Sequence, residues 1–183
     1  MLRTIIALVL LMSATAALAT EAGWALLRDG GHVVLLRHAM ISGTTEPANF
    51  DIEKCATQRS LSERGKQQAR KIGALFAARA APIERVLSSR YCRCLETARI
   101  AFEGEPEPFE ALDPLKTDEA GRAAQKQAIM TEIANFSGSD NLVMVTHAEN
   151  ILDLTGISPR EGEAVIVRPD GERLHVLGRI VFN

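Results

Sequence analysis

Aromatic side chains are scarce in this chain, with six Phe, one Tyr and one Trp among 183 residues. So few rings form no stacking array for single-stranded nucleic acid, and the core they leave must be aliphatic. An excess of charge is missing as well. Lys plus Arg (21) nearly balances Asp plus Glu (23), a formal net charge of -2, which argues against a nucleic-acid footprint. No apolar run reaches the roughly 20 residues that span a bilayer. Cysteine is limited to Cys55, Cys92 and Cys94, without a fourth ligand at finger-like spacing, so no zinc site is expected. What remains is ordinary globular usage, 46% hydrophobic and 24% charged, over a length that suits one domain.

Residues 1–19 read as a secretory signal peptide: Arg3, the apolar run Ile5 to Met12, then Ala17-Leu18-Ala19, with cleavage after Ala19. No Cys follows the run, so neither a lipoprotein link nor another stable membrane anchor is expected. The mature part, 20–183, is then a single domain in the periplasm or outside the cell. Export implies an oxidising compartment and one disulfide. Cys92 and Cys94 stand two residues apart, too close for an easy bridge, which leaves Cys55 paired with one of them. Such a link closes a loop of about 40 residues and stabilises by about 4 kcal/mol in chain-entropy terms.

Along the mature part, His32-Val33-Val34-Leu35-Leu36 after Gly30-Gly31 reads as a buried strand. Met40 to Thr57 lacks periodicity and forms a long loop, the kind that carries function. A helix runs from Ser60 or Ser62, rival caps, to about Arg79, with Ala69, Ile72, Leu75 and Phe76 on one face. Pro82 breaks it, and Ile83 to Ser88 makes a second strand. A helix from Cys92 to Phe102, a linker Gly104 to Pro108, and a helix Asp118 to Asn135 follow. Asn141 to Thr146 is a third buried strand, with a short helical piece through Leu154. Glu163 to Val167, the turn Arg168-Pro169-Asp170-Gly171, and Arg173 to Phe182 read as a hairpin. Strands alternating with helices predict an α/β three-layer sandwich around a mainly parallel sheet, finished by a hairpin at one edge. Ligands of such sheets bind beyond the carboxyl ends of the strands.

Chemistry collects at those ends. Strand one ends in Arg37-His38-Ala39, strand two in Ser88-Ser89-Arg90 and on to Arg93, and strand three in Thr146-His147-Ala148-Glu149. Two His and up to three Arg therefore converge on one edge. A guanidinium fork matches phosphate oxygens in geometry and charge. Imidazole adds a nitrogen nucleophile that works near neutral pH. Together they point to phosphoryl transfer on a small phosphorylated substrate or inorganic phosphate. His32 and His175 read as structural, on the strand and in the hairpin.

Leu35-Leu36-Arg37-His38-Ala39 resembles the Arg-His-Gly motif of the histidine phosphatase superfamily, which includes the cofactor-dependent phosphoglycerate mutases. Ser89 to Ala98 is similar to its Ser-Pro-x-x-Arg-Ala-x-Gln-Thr-Ala segment, aligning Arg93 with the second phosphate-binding arginine. Val145-Thr146-His147 matches the strand with the second histidine. Leu61-Ser62-Glu63-Arg64-Gly65, with Gln67, Ala69 and Gly73 after it, resembles the family's Leu-Thr-x-x-Gly-x-x-Gln-Ala segment. The four motifs occur in order between about Gly31 and Thr155. The resemblance implies a phosphoglycerate mutase-like fold, a transient phosphohistidine on His38, and Arg37, Arg93 and His147 around the phosphoryl group. Neither cofactor nor metal is then required, because these groups neutralise the equatorial oxygens. Nδ1 of His38 needs a partner such as a backbone carbonyl, so that its other nitrogen is free to attack.

The chain departs from the family pattern at two places. Ala39 stands where glycine is usual and is expected to crowd the backbone near the phosphate. Ala148 stands where the acid phosphatase branch has its Asp, so proton delivery falls to Glu149, with Glu110 and Asp113 as rivals. The signal, the Asp51-x-Glu53-Lys54-Cys55 stretch and Leu154 to Glu163 resemble an exported bacterial branch that includes proposed lipopolysaccharide-core heptose phosphatases. Specificity is then expected from Met40 to Thr57 and Gly104 to Ala120. Two other readings compete: a phosphate-binding module without turnover, and a metal site of His38, His147, Glu149 and a cysteine, which neighbouring arginines disfavour.

Overall fold

In β1 (Val33–Arg37), Val34 and Leu36 pack to one side and Val33 and Leu35 to the other, the two-residue period of a pleated strand. β4 (Asn141–Thr146) and β5 (Ala164–Asp170) divide their side chains in the same way, and both faces of the sheet are therefore apolar. Each face needs cover. A helix over residues 20–29 (α1), α2 (Glu63–Ala78) and α3 (Cys92–Phe102) close one side through Trp24, Leu27, Ile72, Phe76 and Ala98. On the other side, α4 (Glu119–Asn135) and α5 (Ala148–Thr155) bring Ile129, Ile133, Ile151 and Leu154. These positions belong to a computed structural model that describes residues 20–171 and 173–182. The expected signal segment, 1–19, lies outside the described residues.

The sheet has the order β3-β2-β4-β1-β5-β6, with β2 (Ile83–Ser88), β3 (Glu107–Pro108) and β6 (Arg173–Ile180) completing it. β3, β2, β4 and β1 are parallel, and β5 and β6 form an antiparallel hairpin on the β1 side. The α/β sandwich with an edge hairpin is the architecture that the strand and helix alternation predicts.

Local departures have local causes. α1 has no counterpart in the predicted elements. The linker Gly104 to Pro108 is partly a strand, since Glu107 and Pro108 pair with Leu87 and Ser88. β5 continues through Pro169 to Asp170, which pairs with Arg173, so the turn shrinks and Gly171 takes a φ of 61°. Proline is tolerated there because β1 pairs only as far as Val167, leaving Pro169 with a single neighbouring strand. Ser62, not Ser60, caps α2, accepting from the Gly65 amide at 3.0 Å. His32 sits just before β1 and not on it, and His175 is exposed on β6.

Trp24 anchors α1, with its ring edge-on to Phe76 (5.4 Å) and Phe182 (5.9 Å) and only 2% of its surface exposed. Replacing it by alanine opens a cavity between helix and sheet. Urea unfolding of Trp24→Ala is expected to lose about 3–5 kcal/mol of stability.

Candidate active site

Strand register brings the two histidines together. Arg37 lies opposite Thr146 in the parallel β1–β4 pair, so the next residues, His38 and His147, leave the sheet side by side. Their ring centroids are 5.5 Å apart, and the His38 amide donates to the Thr146 carbonyl at 3.0 Å. β2 ends next to β4, and α3 begins just after it, which puts Arg93 in the first turn beside His147.

His38 Nδ1 is 2.8 Å from the Ala39 carbonyl oxygen. A carbonyl only accepts, so Nδ1 carries the proton and the Nε2 lone pair is free. Burial, reinforced by the guanidiniums of Arg93, Arg37 and Arg59, pushes the His38 pKa down to about 3. The imidazole is therefore neutral at physiological pH. His147, also buried and close to Arg93, His38 and Arg37, is held well below the usual histidine range. Arg93 Nη2 approaches His147 Nδ1 at 3.3 Å, and a guanidinium can only donate. His147 thus presents Nε2–H to Ser89 Oγ at 2.9 Å, and the Ser89 hydroxyl donates to Asp113 Oδ1 at 2.9 Å.

The second Nη of Arg93 donates to Glu46 Oε1 at 2.6 Å, and its Cζ lies 4.6 Å from the centre of the Tyr91 ring. Arg37 Nη1 donates to the Pro159 carbonyl at 3.0 Å, and Nη2 is 3.9 Å from Glu161. The Nε groups of both arginines are buried without a partner. Two guanidiniums with unspent donors beside a neutral imidazole make an anion receptor with a nucleophile in it.

Several expectations change. Arg90 is engaged by Asp113, whose Oδ2 accepts from its Nε at 2.8 Å and lies 2.7 Å from its Nη2. The Ala39 methyl does not crowd the phosphate side: the residue is fully buried and packs with Leu61 and Ala69, while its amide donates to Thr97 Oγ1. Gln68 is buried, accepting from the Met40 amide and donating to the Glu161 carbonyl. Among the carboxylates, Asp113 is buried and saturated by Ser89 and Arg90. Glu110 is exposed and pairs with Arg90 and Lys116. Glu149 is exposed in the first turn of α5 and makes no hydrogen bond or ion pair among the described residues. Glu46 and Arg59 escaped sequence reasoning. Glu46 lies in the aperiodic loop and Arg59 two residues beyond it, where no local signal marks them.

Cys55 and Cys92 form the disulfide, one of the two expected pairings, with Cα atoms 5.5 Å apart. It fastens the loop after β1 to the first turn of α3, where Gln58 Oε1 also accepts the Cys92 amide. Cys94 is free and buried 3.6 Å from His147 Nε2, and burial pushes its thiol up to about 12. It stays protonated and unreactive at neutral pH. Among the described residues no three His, Cys, Asp or Glu side chains gather in a metal-binding cluster. No helix among them is long and apolar enough to cross a membrane.

The model of the histidine phosphatase superfamily (branch 1) matches residues 33–127, from β1 into α4. The chain belongs to the histidine phosphatase superfamily. It is accordingly a phosphatase enzyme by class. Solved structures agree on the fold of this histidine phosphatase. The protein histidine phosphatase SixA complexed with tungstate superposes with a TM-score of 0.60 at 16% identity, covering 81% of this chain and 96% of the other. The α-ribazole phosphatase of Shigella flexneri gives 0.60 at 14%, covering 80% and 96%. Phosphoserine phosphatase of Entamoeba histolytica, in complex with 3-phosphoglyceric acid, gives 0.58 at 16%, covering 82% and 96%. No curated protein sequence matches the chain significantly.

The neutral histidines set a pH dependence. With the folded pKa near 3 and the unfolded one near the ordinary histidine value of about 6.5, protons bind the unfolded state preferentially as pH falls below about 6.5. Stability is full above that value and declines on the way to pH 3. Urea unfolding between pH ~6.5 and ~5, where exposed carboxylates stay ionised, is expected to be clearly less steep in pH for His38→Gln than for wild type. An unchanged slope would mean that His38 is not held neutral.

Proposed function

We propose that this histidine phosphatase is an exported, metal-independent phosphomonoester hydrolase that works through a phosphohistidine on His38. The carrying observation is the convergence of Arg37, His38, Arg93 and His147 at one sheet edge, with both imidazoles neutral among the guanidiniums. Nε2 of His38 attacks phosphorus and the ester P–O bond breaks. Arg37 and Arg93 bind the equatorial oxygens as charge redistributes, and His147 joins them by turning its Nε2–H from Ser89 to the phosphoryl group. The leaving alkoxide takes a proton from Glu149, the one of the three expected acids left uncommitted by other side chains. Water then attacks phosphorus, the N–P bond breaks, the water proton passes to the Glu149 carboxylate, and phosphate departs. The arginines favour an anion and repel a free cation, which supports a reaction without metal.

The domain is taken as residues 20–183 behind a cleaved signal, a reading to which the Cys55–Cys92 bridge lends support. The substrate we assign is a small phosphorylated sugar, with heptose phosphate of the lipopolysaccharide core as the specific candidate. Tungstate, an oxyanion, and 3-phosphoglyceric acid, a small phosphorylated acid, are the ligands in the related structures.

Residues 20–183 are expected to hydrolyse a generic aryl phosphate in the presence of chelator. His38→Ala should lower kcat at least 10³-fold and leave no acid-labile phosphoenzyme. Glu149→Gln should slow an alkyl phosphate far more than the aryl phosphate, whose leaving group needs no proton. Full activity in His38→Ala would refute the phosphohistidine.

A further inference from the structure

Beside the candidate active site lies a second cavity of about 530 Å³, bordered by Met40, Arg64, Lys71, Arg160, Glu161 and Phe182. It is close to the reacting histidine along two routes. Met40 follows His38 by two residues, which limits their Cα separation to about 7 Å. On the facing loop, the Gly162 amide donates to the His38 carbonyl at 3.0 Å, and Arg37 donates to the Pro159 carbonyl. Gln68, buried between them, ties both borders together through the Met40 amide and the Glu161 carbonyl.

The cavity carries uncompensated positive charge. Arg79, Arg85, Arg90, Arg93, Arg99 and Arg179 all have carboxylate partners. The side chains of Arg64, Lys71 and Arg160 have none among the described residues. Arg64 and Lys71 are seven apart on α2 and so share its face two turns apart, with Gln67 between them also on the border. The one acid on the border, Glu161, is directed to Arg37 and to the Ile41 amide. Three cations without carboxylate partners, the Gln67 amide and an apolar wall from Val181 and Phe182 describe a receptor for a polyanionic polar molecule.

We propose that this cavity is a second anion subsite, receiving another phosphate of the same substrate molecule whose first phosphate is cleaved at His38. The inference rests on the phosphatase reading of the neighbouring site and narrows its substrate class to phosphosugars with two or more phosphates. Arg64, Lys71 and Arg160 position the substrate and touch no reacting atom.

Binding to His38→Ala protein separates this claim from turnover. Calorimetry with a hexose bisphosphate, the matching hexose monophosphate and inorganic phosphate should give at least tenfold tighter binding of the bisphosphate. Arg64→Gln combined with Arg160→Gln should remove that preference while leaving inorganic phosphate affinity unchanged. Lys71→Gln alone should remove part of it. All three residues are exposed, and unchanged thermal unfolding checks that each variant is folded. Equal affinity for the two sugars, or a uniform loss for all three ligands, overturns the subsite. Failure of wild type to hydrolyse an aryl phosphate overturns the phosphatase reading instead, whatever the binding preference.

Discussion

A buried guanidinium must be held by its neighbours, because moving a cation from water into protein costs several kcal/mol. Arg93, with 8% of its side chain exposed, meets this demand through Glu46, His147 Nδ1 and the face of Tyr91. Each contact constrains something further. His147 accepts only when Nδ1 is unprotonated, and the Ser89–Asp113 chain behind Nε2 fixes that tautomer. Glu46 accepts only when the loop after β1 lies against α3, where the Cys55–Cys92 bridge holds it. The burial of one arginine thus links the tautomer of a histidine to the course of a long loop.

The sheet makes such burial possible. β1 and β4 are central and parallel, so their carboxyl ends open at the same edge, and the residues just past them are shielded on both sides by helices. Close approach of α2 adds to the shielding. Gly65 stands where a Cβ would collide with the Met40 carbonyl, so the first turn of α2 reaches the chain two residues beyond His38. Desolvation there does chemical work by keeping both imidazoles neutral. It also leaves Nε of Arg37 and Arg93 buried with no partner among the described residues, a deficit that a phosphate oxygen can relieve.

Most of this frame was legible in the sequence. Val33 to Leu36 and Leu142 to Val145 advertise strands because burial on both faces leaves no polar alternation to obscure them. The residues after them then fall at one edge by topology, which is why Arg37, His38, Arg93 and His147 could be grouped before any coordinates. Features that depend on non-local contact were illegible. α1 is short, and its apolar face of Trp24 and Leu27 gains meaning only against Phe76 and Phe182. β3 is two residues long and exists by pairing with β2. Arg90 and Arg93 look equivalent as sequence, and only contacts with Glu110 and Asp113, distant in sequence, draw one of them aside.

Glu46 is the clearest case of function written in contacts. Its carboxylate accepts from an Nη of Arg93, so a phosphoryl group approaching that nitrogen has to compete with it. The loop cannot swing far to yield, because Arg59 bonds the Ser42 and Gly43 carbonyls and Cys55 is bonded to Cys92. Rotation of the Glu46 side chain is the smaller movement. Under the proposed mechanism that exchange replaces one carboxylate with a group that offers three oxygens to Arg93, Arg37 and His147 together, and the need to displace a carboxylate first favours a phosphate dianion over a carboxylate ligand.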